Sequence, residues 1–115
     1  MTTPEKAKGS QWERDIVKYL QECGFTYAER RGLAGQQYDK GDITGLGPDI
    51  VIEAKNAKSI DLAKFLTEAE LERDNARAKY GIACIKRRQK STSQAYVVMS
   101  LKAFVELWKE REGLE

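Results

Sequence analysis

Histidine is absent from this chain of 115 residues. Without imidazole there is no histidine-based serine or cysteine triad, no His-ligated zinc and no histidine-metal nuclease site. Any hydrolysis therefore has to run on carboxylates, lysine and a hard cation that prefers oxygen ligands. Cysteine is scarce: Cys23 and Cys84 are the two, in apolar settings without metal-site spacing, and both are expected to be buried free thiols. No apolar run is long enough to cross a membrane, and no apolar signal segment follows the polar start, so a soluble, cytoplasmic protein with no membrane partner is expected. A strong charge imbalance is also missing, since 20 Lys and Arg against 18 Asp and Glu leave a formal net charge of +2.

With 41% hydrophobic and 33% charged residues, the length fits one domain, 1–115, with a modest core and one site. The distribution of charge says more than its sum. Lys6, Lys8, Arg30, Arg31, Lys40 and the block Lys86, Arg87, Arg88 and Lys90 are basic, whereas Glu106, Glu110, Glu112 and Glu115 gather at the C-terminal end. The basic residues are the expected nucleic-acid contacts, with Arg30 or Arg31 suited to fork onto a phosphate, the alternative being plain solvated charges.

The densest chemistry lies between Gly41 and Asn56. Ile50-Val51-Ile52 is a β-branched run bounded by Gly47-Pro48 and Asn56, the pattern of a strand. Alternation places Ile50, Ile52 and Ala54 on one face and Asp49, Val51, Glu53 and Lys55 on the other. Residues 42–44 read as the first arm of a hairpin that turns through Gly45-Leu46-Gly47-Pro48 and returns Asp42 beside Val51 or Glu53. Cross-strand neighbours sit about 4.5–5.5 Å apart, close enough for Asp42 and Glu53 to share a cation. Asp49 competes with Asp42, but four strand residues separate it from Glu53, roughly 13 Å at about 3.3 Å each. The assignment goes to Asp42, with Asp49 read as a turn residue.

Along the chain, residues 1–9 read as a mobile basic arm. Ser10 and Glu13 fit a capping box that opens a helix to about Cys23, with the stripe Trp12, Ile16, Tyr19, Leu20 and Cys23. A short strand is expected over Phe25 to Ala28, and 32–40 as a surface loop. Ser59 reads as the N-cap of a long helix to about Lys79, ended by Tyr80-Gly81, with Leu62, Phe65, Leu66, Ala69, Ala76 and Tyr80 inward. Leu71 falls off that stripe and is a candidate for a subunit contact, as are Ile60 and Trp108, although burial within the chain is the stronger reading for Trp108. Ile82 to Ile85 is fit for a central strand, Tyr96 to Met99 for its hairpin partner, and a last helix from Leu101 to about Arg111 is expected to bury Leu101, Phe104, Val105 and Trp108. This order gives an α/β sandwich with a central mixed sheet.

Asp42, then Glu53-Ala54-Lys55, with Glu13 on a preceding helix, resembles the PD-(D/E)xK nuclease superfamily, and within it the small Holliday junction resolvases of archaea and phages. The similarity in element order spans Gly9 to about Trp108; Gly41 stands where the family name has proline. The resemblance implies a restriction-endonuclease-like α/β/α sandwich and a Mg²⁺- or Mn²⁺-dependent endonuclease that cuts four-way DNA junctions as a homodimer and leaves 5'-phosphate ends. If a phage encodes the chain, the compartment is the host cytoplasm. Asp42, Glu53 and the Ala54 backbone carbonyl would hold the metal, Lys55 would orient or deprotonate the attacking water, and Glu13 would be an outer ligand or water-holder. Two other readings use the same residues differently: a nicking or end-processing repair nuclease of the same superfamily, and a non-catalytic DNA-binding module. A plain Glu53–Lys55 ion pair is the bland alternative for that strand.

Overall fold

The structure, a computed structural model, describes residues 4–30 and 42–115, with side chains described for 8–30 and 43–115. The elements are α1 (Pro4–Glu22), β1 (Glu29–Arg30), β2 (Asp42–Thr44), β3 (Ile50–Lys55), α2 (Leu62–Ala76), β4 (Tyr80–Ile85), a 3-10 turn (Thr92–Gln94), β5 (Tyr96–Val98) and α3 (Leu101–Glu112). The strands form one mixed sheet in the order β1-β2-β3-β4-β5. The β3–β4 pair, bridged by α2, is parallel, and the other pairs are antiparallel. This is an α/β protein, as the order of sequence patterns requires.

Each face of the sheet is covered by its own helix. Trp12 and Ile16 of α1 bury against Ile43, Ile52, Ile82 and Cys84, while Phe65 and Ala69 of α2 bury against Ala83 and Ile85 on the other side. Strand alternation thus sends Ile52 toward α1 and Glu53 toward α2. The approach of α2 to β4 is close: a Cβ at Gly81 would collide with the Ala69 carbonyl and lie 2.9 Å from Arg73 Cβ. Gly81 is therefore a packing glycine inside a fully buried strand rather than a helix stop.

Several boundaries differ from the sequence pattern. Helix α1 starts at Pro4, not Ser10, so 4–9 are helical rather than an arm; proline suits the first helical turn, and Lys6-Ala7-Lys8 are good helix formers. Ser10 and Glu13 consequently do not form a capping box. Cys23 is exposed rather than buried, because it lies past Leu20, the last residue of α1 packed on the core; Tyr19 is likewise exposed. Residues 25–28 form a turn, with the Ala28 N–H donating to the Phe25 carbonyl, and the first strand follows at once as Glu29–Arg30. Helix α2 is capped by Asp61, not Ser59, and ends at Ala76, where Arg77 adopts a left-handed conformation with φ of 55°. The Tyr80 N–H is needed elsewhere, donating to the Asp49 carbonyl to open the β3–β4 ladder. Leu62, expected inward, is exposed.

The largest departure is α3, where Ala103 alone is buried. Leu101, Phe104, Val105 and Trp108, expected in the core, are exposed, with Leu101 at 76% and Trp108 at 53%. At 3.6 residues per turn these four make one stripe, and Ala103, Glu106 and Glu110 make the opposite one. Ser100 caps the helix directly after β5, and Glu110 is tied inward by the Tyr80 hydroxyl at 2.7 Å and Lys79 Nζ at 3.1 Å. A polar tie therefore anchors the inner side of an amphipathic helix whose apolar side faces out, with Phe104 and Trp108 stacked 6.2 Å apart.

Candidate active site and adjoining basic cleft

The hairpin closes through Gly45, whose φ of +98° and closeness to the Tyr27 carbonyl exclude a side chain. Its register sets Asp42 directly opposite Glu53 and Ile43 opposite Ile52. The pairing puts Asp42 and Glu53 on the α2 face of neighbouring strands, since directly opposed residues share a face. The Asp42 side chain lies outside the described residues. Asp49 is an exposed residue ahead of β3, at the end of the strand away from Lys55.

Among the described residues, Glu53 is the charged side chain buried in the core, 5% exposed. Its Oε1 lies 3.4 Å from Lys55 Nζ, and the same nitrogen lies 2.8 Å from Glu68 Oε1 on α2. The Lys55 amine also sits over the Phe65 ring, 5.3 Å from its centroid. A half-buried amine held between two carboxylates and an aromatic face has little freedom to wander. Ion pairing in such a place offsets the cost of removing charge from water, and loss of one partner leaves the others uncompensated.

Glu68 is the residue that the sequence pattern hid. It follows Phe65 by three positions and precedes Ala69, so it borders the buried stripe of α2, where a carboxylate can reach the sheet. Glu72 repeats that position one turn later. Among the described residues, no group of three or more His, Cys, Asp or Glu is placed to hold a metal ion.

Glu13 lies on α1, which covers the other face, and its Oε1 accepts from Arg30 Nε at 2.9 Å. Arg30 also reaches Ser10 Oγ at 3.4 Å. The structure thus pairs Glu13 and Arg30 with each other. Arg31 and Lys40 lie outside the described residues, as does the side chain of Lys6. Lys8 is exposed, and its carbonyl accepts from Asn56 Nδ2 at 3.5 Å, which places this turn of α1 beside the end of β3.

The basic block follows β4 and meets the site at the strand ends, where the Lys86 N–H donates to the Lys55 carbonyl at 2.9 Å. Here the crossover loop and the β4–β5 loop enclose a cleft of about 340 Å³, lined by Lys58, Lys86, Arg87, Arg88, Lys90 and Tyr96 among others. Arg87 is stacked over Tyr96, 5.0 Å from the ring centroid, and bonds the Gln94 carbonyl. Lys86 lies over Trp12, whose Nε1 donates to the Cys84 carbonyl at 3.1 Å. Lys58 was not foreseen as part of this surface. Only the parallel pairing of β3 with β4 brings their loops together.

Burial pushes the Cys84 thiol up to about 11, and an exposed Cys23 leaves no shared site between the two sulfurs. Neither cysteine joins the Glu53 cluster. No helix of the described chain is long and apolar enough to cross a membrane. Compared with known proteins, the chain matches no family model, no curated protein and no solved structure.

Proposed function

We propose that the chain is a divalent-metal-dependent DNA endonuclease of the PD-(D/E)xK type, acting on four-way junctions. The observation that carries this reading is the hairpin register, which sets Asp42 opposite Glu53 with Lys55 two residues further on the same face. The buried Glu53 carboxylate, the Asp42 position across the ladder and the Ala54 carbonyl form an all-oxygen donor set, the kind that suits Mg²⁺ or Mn²⁺. The cation, when bound, would acidify a water and neutralise charge developing on the phosphorus. Lys55 then orients the water or meets the growing negative charge, and Glu68 and Phe65 hold its amine in place. The element order also supports the restriction-endonuclease-like sandwich: a helix, an antiparallel three-strand meander, and a crossover helix to a parallel fourth strand.

Two cuts on a two-fold junction require two sites, and one chain of this length carries one. A second copy, related by two-fold symmetry, supplies the other. The outward stripe of α3 is the apolar surface proposed for that contact.

The direct test is incubation with synthetic four-way, flap, nicked and linear duplex DNA, with Mg²⁺ or with EDTA. Metal-dependent, paired incision of the four-way substrate is expected, leaving 5'-phosphates. Preferential nicking of flaps or ends would move the assignment to a repair nuclease, and binding without any incision would make the chain a DNA-binding module.

A further inference from the structure

The basic cleft is more than a charged surface. Tyr96 pairs with Ile85, and Ile85 pairs with Lys55. Directly opposed residues share a face, so the Tyr96 ring stands on the same side of the sheet as Lys55, two strand spacings or about 10 Å away. That ring remains 45% exposed, and Ile60 on the opposite rim is 48% exposed. Four cationic side chains, Lys58, Arg87, Arg88 and Lys90, surround the two apolar surfaces, while the Lys86 amine lies over Trp12 on the other face, and the described residues lining the cleft include no carboxylate. Its volume of about 340 Å³ falls at the low end of clefts that hold small ligands, roughly 300–1,000 Å³.

Cations together with an exposed aromatic shelf meet the two chemical needs of one nucleotide: oxygens that want positive charge and a base that wants a flat face. A duplex cannot use such a shelf, because its bases are already stacked on each other. Arg87 strengthens the shelf, since a guanidinium plane beside an aromatic ring stacks on bases as well as pairing with phosphate.

We infer that the cleft holds an unpaired nucleotide of a single strand, with its base on the Tyr96–Arg87 shelf and its phosphate among Lys58, Arg88 and Lys90. This deepens the nuclease reading, because a strand held there runs across the β4 end toward Glu53 and Lys55. The bound substrate then carries a locally melted strand next to the cut, and a fully paired linear duplex is the poorer ligand.

The experiment reads binding alone, in EDTA, by fluorescence anisotropy of the full chain with a labelled oligothymidylate and with a blunt duplex of equal length. The intact protein is expected to prefer the single strand. Tyr96→Leu, which keeps apolar bulk without a π-face, is expected to weaken single-strand binding about tenfold, the loss of one stacked base, while duplex binding changes less than about twofold. Tyr96→Phe restores the preference. Lys58→Ala weakens both DNAs and lowers the salt dependence of both. Equal affinity of the intact protein for the two DNAs, or equal weakening of both by Tyr96→Leu, would overturn the inference even if metal-dependent cleavage is found. A single-strand preference without any cleavage would sink the nuclease reading and leave this site standing.

Discussion

Lys55 Nζ and Glu68 Oε1, 13 residues apart in sequence, meet at 2.8 Å across the interface between β3 and α2. The same amine faces Glu53 Oε1 at 3.4 Å, so a helix position fixes where the strand's lysine can act. Replacing Glu68 by Gln should leave the fold intact and lower the cleavage rate by about ten- to a hundredfold, because a displacement on the order of 1 Å of a positioned group has that effect. Binding of DNA in EDTA should change little. Single-turnover kinetics separate the two; an unaltered rate would make Glu68 a packing neighbour.

Glu53→Gln and Asp42→Asn should each abolish metal-dependent incision while junction binding persists. Glu53→Gln removes a carboxylate from a buried site while Glu68 still pairs with Lys55, so its thermal stability should stay close to that of the wild type. If Asp49→Asn stops incision and Asp42→Asn does not, the metal lies at the other end of β3 and the proposed donor set is wrong.

Neutralising Lys86, Arg87, Arg88 and Lys90 together should weaken binding to every DNA shape. Contacts to phosphate carry no sequence information, and each one lost should reduce the log-log salt slope by about 0.9. Anisotropy titrations across a range of salt concentrations give the slope directly, and an unchanged value would leave the block as a solvated loop.

The outward stripe of α3 predicts self-association. Sedimentation at micromolar concentration should show a dimer, and Trp108→Glu should give a monomer of undiminished thermal stability, since that side chain is 53% exposed within one chain. The monomer should nick junctions singly instead of making paired cuts. A wild-type chain that sediments as a monomer would remove the proposed interface.

The α3 anchor should respond to pH. Bonding to the Tyr80 hydroxyl, then to Lys79, holds the Glu110 carboxyl below its usual range. A depressed folded-state pKa gives stability that is present above the ordinary carboxylate pKa and lost as pH falls through the lowered value. Burial, then the bond to Glu110, pushes Tyr80 up to about 12, which gives stability present below the ordinary tyrosine pKa of about 10 and lost as pH rises toward 12. Thermal melts should therefore fall off at both extremes, and Glu110→Gln should flatten the acid limb. An acid limb unchanged in that variant would place the sensitivity elsewhere.

The sequence by itself determined the features that depend on neighbours along the chain. The β-branched run at Ile50 to Ile52, the glycine turn before it and the continuous apolar strand ending at Ile85 specified the central strands. Alternation then placed Glu53 and Lys55 on one face. The hairpin itself was readable and returned Asp42 beside Val51 or Glu53, but the choice of Glu53 came only with the register of the folded ladder. What only the tertiary structure decided depends on which surfaces meet. Gly81 looked like a helix stop and is instead the point where α2 touches β4. Glu68 joined Lys55 because the crossover laid α2 over β3, and Lys58 joined Tyr96 because two loops end at the same edge. The stripe of α3 reads as core by periodicity alone. Periodicity tells how a helix is divided into faces but not which face the rest of the chain covers, and here the Tyr80–Glu110 bond turned the polar face inward.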